Sequence, residues 1–388
     1  MTNKRQVAAT KLAHSSKNYG AEILRGIAIL MVVSYHIFGP LFGWSLPWKG
    51  LLRDFQSQRH HELLWFYPVT FGWAGVALFF VLSGFCIHLS FLRSKSFNAG
   101  HFFWRRFWRI YPAYAIALVV FTALNHVNIF SLQGAMQFLT HALFLHNLRG
   151  STFMEINGSF WSIATEMQLY ILFPLLLFIR SRLRIEGCIL ITLIIGLIWR
   201  GLAVYFWGIP EHIITPALSS PLMTWFDWTL GAYVAERLYH DRQAFSRKRV
   251  WLAVLLPLFV ASTLFKPFTL FSFSLAAVTS AVVLDSALHV YWRKGFMITS
   301  LSLIGLLSYS LYLWHQPLVF RVHFYLFKFI GSSVVAWFLL IPIVITGSWV
   351  SFRFFEQIGI LIGDSIWNRL INRTLLPAPD AAQFPFKR

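Results

Sequence analysis

The sequence predicts an all-α, polytopic membrane protein with about ten transmembrane helices and both ends in the cytoplasm. Three observations predict it. Of 388 residues, 57% are hydrophobic and only 12% are charged, whereas a soluble domain is about a quarter charged. Apolar stretches near the ~20-residue length of a membrane-crossing helix recur along the whole chain. The basic residues gather in alternate connections between those stretches, as the positive-inside rule describes.

The first twenty residues are polar and basic (Lys4, Arg5, Lys11, Lys17). They hold no short apolar core or cleavage site, so the first apolar run is expected to be a retained span. Candidate spans follow at 22–42, 69–92, 111–130, 160–179, 188–207, 221–239, 250–265, 268–290, 300–322 and 331–352. The stretch 133–148 is set apart by Gln133, Gln137, His141, His146 and Asn147, which suit a re-entrant or surface helix. With the N-terminus inside, the inner connections hold Arg93, Lys95, Arg105, Arg106 and Arg109, then Arg180, Arg182 and Arg184. Arg237, Arg242, Arg247, Lys248 and Arg249 follow, then Arg293 and Lys294, and a tail with Arg369, Arg373, Lys387 and Arg388. The outer connections hold only Lys49, Arg53, Arg59, Arg149, Lys266 and Lys328.

The net charge of +19 is therefore expected to mark cytoplasmic loops beside a lipid bilayer, with no nucleic acid as partner. Cys86 and Cys188 lie in apolar runs and form neither a disulfide framework nor a CxxC pair. No internal repeat is visible. The chain is expected to be one membrane domain, 22–357, between cytoplasmic segments 1–21 and 358–388.

Ionisable residues inside such spans are costly, and they point to function. In RGIAILMVVSYH, Arg25 and His36 are eleven residues apart. On a helix they rise about 16 Å and return to within about 20° of one face. Glu166 lies in the fourth span, below Trp161, at a depth His36 could share. A His–Glu pair would fix the imidazole tautomer and raise its basicity, as in a general base with an orienting carboxylate. In HFFWRRFWRIYPAY, Arg105, Arg106 and Arg109 can share one side of a short helix, and Pro112 follows at the start of the third span. They suit either interfacial anchoring or bidentate phosphate binding. Ser83-Gly84 permits close helix packing or a narrow acyl channel. Ser308, Tyr309, Ser310, Tyr312, His315 and Gln316 polarise one late span, as an acceptor cavity or as interhelical hydrogen bonds. Glu356 is expected to pair with Arg353 or another cytoplasmic arginine. Neither an HExxH motif nor clustered Cys and His implies a metal.

Five motifs in order resemble the integral-membrane acyltransferase family 3, whose members acylate bacterial surface polysaccharides and related acceptors. They are Arg25 with His36, FFVLSGF at Phe79 to Phe85, RRFWRIYP at Arg105 to Pro112, Trp161 to Pro174 with Glu166, and Ser308 to Pro317. Two positions depart from the family pattern. Ala77 stands where an acidic residue is frequent, and Met167 stands where a second acid often follows Glu166. Both losses are read as tuning the acceptor site. Some members also carry a soluble esterase-like domain, for which this sequence is expected to leave no room.

The resemblance implies a cytoplasmic acyl-CoA donor, most often acetyl-CoA, and no permanently bound cofactor. It implies a carbohydrate or glycolipid hydroxyl as acceptor. Arg25, Arg105, Arg106 and Arg109 would hold the coenzyme A phosphates, and the pantetheine arm would rise along the first helix toward His36. His36 would act as base with Glu166 as its partner; an acyl-histidine intermediate is the variant. Ser83, Trp161, Ser162, Tyr312 and His315 are the candidate substrate-binding residues, His315 also as an oxyanion stabiliser. The acceptor could be an O-antigen or exopolysaccharide repeat, a macrolide-type metabolite, a glycolipid or a peptidoglycan sugar. The rival from another class is a transporter of a lipid-linked sugar or small anion.

Overall fold

The computed structural model describes residues 2–38, 68–94, 96–208, 215–264, 268–293 and 295–374, with side chains from Tyr19 onward except at 38, 264, 269, 333, 334 and 371–374. Lys49, Arg53, Arg59, Lys95, Lys266, Lys294, Lys387 and Arg388, all used in the charge map, lie outside them, as do 39–42 of the first predicted span and the side chains of Lys4, Arg5, Lys11, Lys17 and Arg373. The described residues are helical and contain no strand.

In chain order the helices are α1 (Thr2–Phe38), α2 (Ala74–Leu92), α3 (Ala99–Leu124), α4 (Leu132–Ala142), α5 (Phe160–Trp207) and α6 (Pro221–Tyr239). Next come α7 (Lys248–Leu264), α8 (Thr269–Ala287), α9 (Phe296–Leu306), α10 (Ser308–Ile330), α11 (Ser333–Ser351) and α12 (Gln357–Thr374). Six of the described helices are long and apolar enough to cross a membrane, or seven if the pair α9–α10, bent by 78°, counts as one. Their outer faces carry exposed Ile171, Phe178, Ile198 and Phe338, as suits lipid rather than water.

Three differences from the expected spans have clear causes. First, the predicted spans 160–179 and 188–207 join in α5, which turns at Arg184 (φ 59°, ψ −178°). Cys188 Sγ lies 3.6 Å from the Leu176 carbonyl. Twelve residues along a straight helix would separate them by about 18 Å, so the two arms fold back on each other. Second, the predicted span 300–322 straddles the sharp bend between α9 and α10. Third, α3 begins at Ala99, where Asn98 Oδ1 accepts from His101 N, and runs through Pro112. The arginine motif is thus part of the same long helix as the third span rather than a short helix before it. Pro112 cannot donate to the Trp108 carbonyl. Gly359 of α12 lies against that oxygen, where a Cβ would come within 2.8 Å.

Small residues let the central helices touch. Gly84 of α2 faces the Trp228 carbonyl of α6, where a Cβ would meet the oxygen at 1.9 Å. This is the close packing that one reading of Ser83-Gly84 expected. At the Arg-rich end, Glu236 of α6 accepts two hydrogen bonds from Arg180 (2.5 and 2.9 Å) and one contact from buried His88 of α2 (2.8 Å). This ties α2, α5 and α6 together. Residues 357–374, read from sequence mostly as tail, form α12 along α3. Trp104 donates to the Gly363 carbonyl (2.8 Å), and His101 stacks on Trp367.

The stretch 133–148 forms α4 and a short 3₁₀ turn, His146–Leu148, outside the spans. Its two buried imidazoles, His141 and His146, stack with centroids 3.8 Å apart and planes 5° off parallel. Burial lowers His141 to about 4, and burial with the neighbouring ring lowers His146 to about 2. Both rings are neutral in the folded protein.

Two tests follow from these contacts. Gly84→Ala should cost about 3 kcal/mol through overpacking, whereas Gly201→Ala, which meets open space, should cost nothing measurable by thermal unfolding in detergent. Because folding depresses both imidazole pKa values, the unfolded chain binds more protons below its ordinary value near 6.5. Stability should fall as pH drops from about 6.5 toward 4, and less steeply in a His141→Phe/His146→Phe double variant; parallel pH curves would clear the pair of responsibility.

Candidate functional site

Helices α1, α2, α3, α5 and α10 enclose a chamber of about 240 Å³. Its charged wall is Arg25, Arg106, Arg109 and Glu166, and its far end holds Phe79, Ser162 and Tyr312. Glu166 Oε1 accepts from Ser83 Oγ and Tyr170 Oη, both at 2.6 Å. Trp228 Nε1 donates in turn to Ser83 Oγ at 3.3 Å. Arg25 and Arg106 both feel the charge of Glu166. Arg106 lies over the rings of Phe102 and Tyr170, 5.8 Å from each centroid. Its Nε is buried without a hydrogen-bond partner. Arg25 Nη2 donates to Cys86 Sγ at 3.1 Å.

At the far end Ser162 and Tyr312 share a hydrogen bond of 2.6 Å. The Ser162 hydroxyl also donates to the Ser159 carbonyl, so Tyr312 is the donor of the shared bond. The Tyr312 ring packs against fully buried His315, whose ring meets His36. A carbonyl only accepts, which assigns the tautomers. His315 Nδ1 faces the Tyr312 carbonyl at 2.6 Å and carries a hydrogen. Its Nε2 is then the acceptor at 3.2 Å from His36 Nδ1. His36 Nδ1 also faces the Val32 carbonyl at 2.8 Å, so its hydrogen is shared, which in a neutral ring places the lone pair on Nε2.

The structure therefore brings Arg25, Arg106, Arg109, Ser83, Ser162, Glu166 and Tyr312 to one chamber. His36 and His315 form a pair just behind its far end, outside the lining. The partner expected for His36 was Glu166; His315 takes that place, and Glu166 faces Ser83, Tyr170 and the arginines. Arg105 is exposed and off the chamber, because consecutive residues point about 100° apart on a helix. Trp161 is buried between Phe80 and Phe153 rather than lining the cavity. Ala77 is a core residue, and Met167 packs against the core away from the chamber. Arg353 bonds to Gln357, while Glu356 accepts from Ser310 Oγ at 3.0 Å within reach of Arg109 and Arg25.

Sequence reading missed Tyr170 and Cys86, both on the chamber wall, while Tyr309, read as a candidate for the acceptor cavity, also lies there. Tyr170 had a signal: it stands four residues after Glu166, one turn along the same face. Cys86 likewise follows Ser83 by three.

These features define a multi-pass membrane protein with a cation-walled chamber leading to a histidine pair. Residues 18–353 match the acyltransferase domain family designated acyltransferase 3, and the chain belongs to that family. Nodulation protein 10 of Rhizobium leguminosarum bv. viciae is 28% identical over 214 residues, covering 48% of this chain and 55% of that protein. O-acetyltransferase OatA of Staphylococcus aureus is 24% identical over 323 residues, 74% of this chain and 52% of its own. Peptidoglycan O-acetyltransferase OatA of Listeria monocytogenes is 25% identical over 341 residues, 76% and 48% respectively. The chain thus spans about half the length of these relatives. No solved structure matches it.

Glu166→Ala should remove the carboxylate shared by two half-buried guanidinium groups and cost on the order of 3 kcal/mol. Tyr170→Phe, which removes one donor to the carboxylate, should cost about 1.5–3 kcal/mol. Unfolding midpoints in mixed micelles check both; equal midpoints for wild type and Glu166→Ala would show that the carboxylate does not balance the arginines.

Proposed function

We propose that the protein is a membrane O-acyltransferase that moves an acyl group, acetyl by preference, from cytoplasmic acyl-CoA to a carbohydrate hydroxyl. The bilayer is the bacterial inner membrane, crossed ten times, with both ends of the domain inside. Dividing α5 at Arg184 supports that count, since each arm is long enough to span. The single observation that carries the activity is the chamber: arginines at one end, a small hydroxyl-lined end at the other, and a neutral histidine pair behind it.

In this reading the donor's phosphates sit at Arg25 and Arg109, with Arg106 and its unpartnered Nε facing the arm or the nearest phosphate. The arm fills the chamber and presents the thioester at Ser162 and Tyr312. The acceptor hydroxyl enters beside His36. Its proton passes to His36 Nε2 as its oxygen attacks the thioester carbon, and His315 Nε2 holds the imidazolium through His36 Nδ1–H. Tyr312 Oη, by turning from Ser162, donates to the oxyanion that forms. The C–S bond then breaks, and the imidazolium returns a proton to the departing thiolate. Glu166 acts on charge rather than on the base: it holds Arg25 and Arg106 in place for an anionic donor. The names of the Staphylococcus and Listeria relatives support an O-acetyl transfer, and the latter supports a cell-wall sugar as acceptor class.

Release of coenzyme A from acetyl-CoA by protein in nanodiscs, with candidate glycans, tests the reading. His36→Ala should lower turnover at least 10²-fold with donor binding intact. His315→Phe should lower turnover without weakening donor binding. Turnover that survives His36→Ala unchanged would remove the base from this position.

A further inference from the structure

A second cavity of about 400 Å³ lies next to the chamber at the Arg-rich end, and Arg25 and Cys86 line both. Its other polar residues are Glu22, Ser90, Arg93 and Ser94. One face of α2 runs through the two spaces: Val76, Phe79, Ser83 and Cys86 in the chamber, then Cys86, Ser90 and Arg93 in the second. At helical rise this stripe is about 26 Å long, of which Val76 to Cys86 accounts for about 15 Å. The hydrogen bond from Arg25 to Cys86 stands where the spaces meet.

Charge distinguishes the second cavity from a gap between helices. Glu22 is engaged by Ser302 Oγ at 2.9 Å, on the side of α9. Arg93, exposed at the end of α2, has no ion pair among the described residues. The guanidinium is thus available to an anion that enters from the cytoplasm, and Ser90, three residues earlier, supplies a hydroxyl donor about one turn away.

We infer that this vestibule is the subsite for the nucleotide end of the donor, with Arg93 binding the phosphate on its ribose. The inference rests on the acyl-CoA reading above. A donor whose arm fills the ~15 Å from Cys86 to Val76 has its diphosphate at Arg25 and Arg109. Its ribose phosphate then falls about two turns farther along α2, at Arg93. The Arg25–Cys86 contact is the constriction through which the arm passes, and it opens when Arg25 exchanges a thiol for a diphosphate oxygen, a stronger acceptor.

Equilibrium binding of acetyl-CoA and of its 3′-dephospho analogue to the full chain in nanodiscs tests this. Arg93→Ala should weaken acetyl-CoA about tenfold, equivalent to about 1.4 kcal/mol, and leave the dephospho analogue unchanged. Arg93→Lys should restore part of the difference, since the charge remains and the fork does not. Equal loss for both ligands, or loss for neither, would overturn the subsite while leaving the donor reading intact. Wild-type protein that binds neither ligand would overturn the donor reading itself, and this inference with it.

Discussion

In a bundle whose outer faces are apolar, Arg25 and Arg106 are accommodated because Glu166 stands within their field and donors on two helices hold it there. Ser83 comes from α2 and Tyr170 from α5. Trp228 of α6 extends the chain of donors by one more member. Removing charge from water costs several kcal/mol per ion, and the pairing and hydrogen bonds within the cluster offset that cost. Three cations on the chamber wall (Arg25, Arg106 and Arg109) against one anion leave it net positive. A cavity of that sign, in a low dielectric, favours an anion far more than the same residues would on a wet surface.

The proposed base is kept apart from that cluster. His36 is oriented by a neutral imidazole and a backbone carbonyl rather than by a carboxylate. A carboxylate in the same place would stabilise the imidazolium strongly, and the ring would tend to stay protonated. A neutral acceptor gives orientation with a smaller bias in charge, which suits a group that must begin each turnover unprotonated.

Much of this was legible in the residues. The all-helical class, the chamber arginines Arg25, Arg106 and Arg109, and the importance of Ser83, Ser162, Glu166 and Tyr312 to one cavity follow from polar groups at helical spacing in apolar runs. What was not legible depended on contacts between distant parts of the chain. His36 and His315 are 279 residues apart, and no local spacing distinguishes that pairing from one with Glu166. Arg105 and Arg106 look equivalent in sequence, yet adjacent positions on a helix face different neighbours. The turn at Arg184 is hidden because an arginine in a left-handed conformation carries no signature of the kind a glycine would give.

The long-range character of these contacts bears on how the protein is made. Tyr309 donates to the Ile110 carbonyl, and Trp104 reaches Gly363, 259 residues later. Helices emerge from the ribosome in order, and early ones begin to pack before later ones exist. The arginine-bearing helix must therefore wait in the bilayer without α10 and α12, which cover its final face, until nearly all of the chain has been translated. During that interval its guanidinium groups are free to face the headgroup region. The chamber closes only when the last helices arrive, so a chain stalled late in synthesis would hold most of its spans and no finished site.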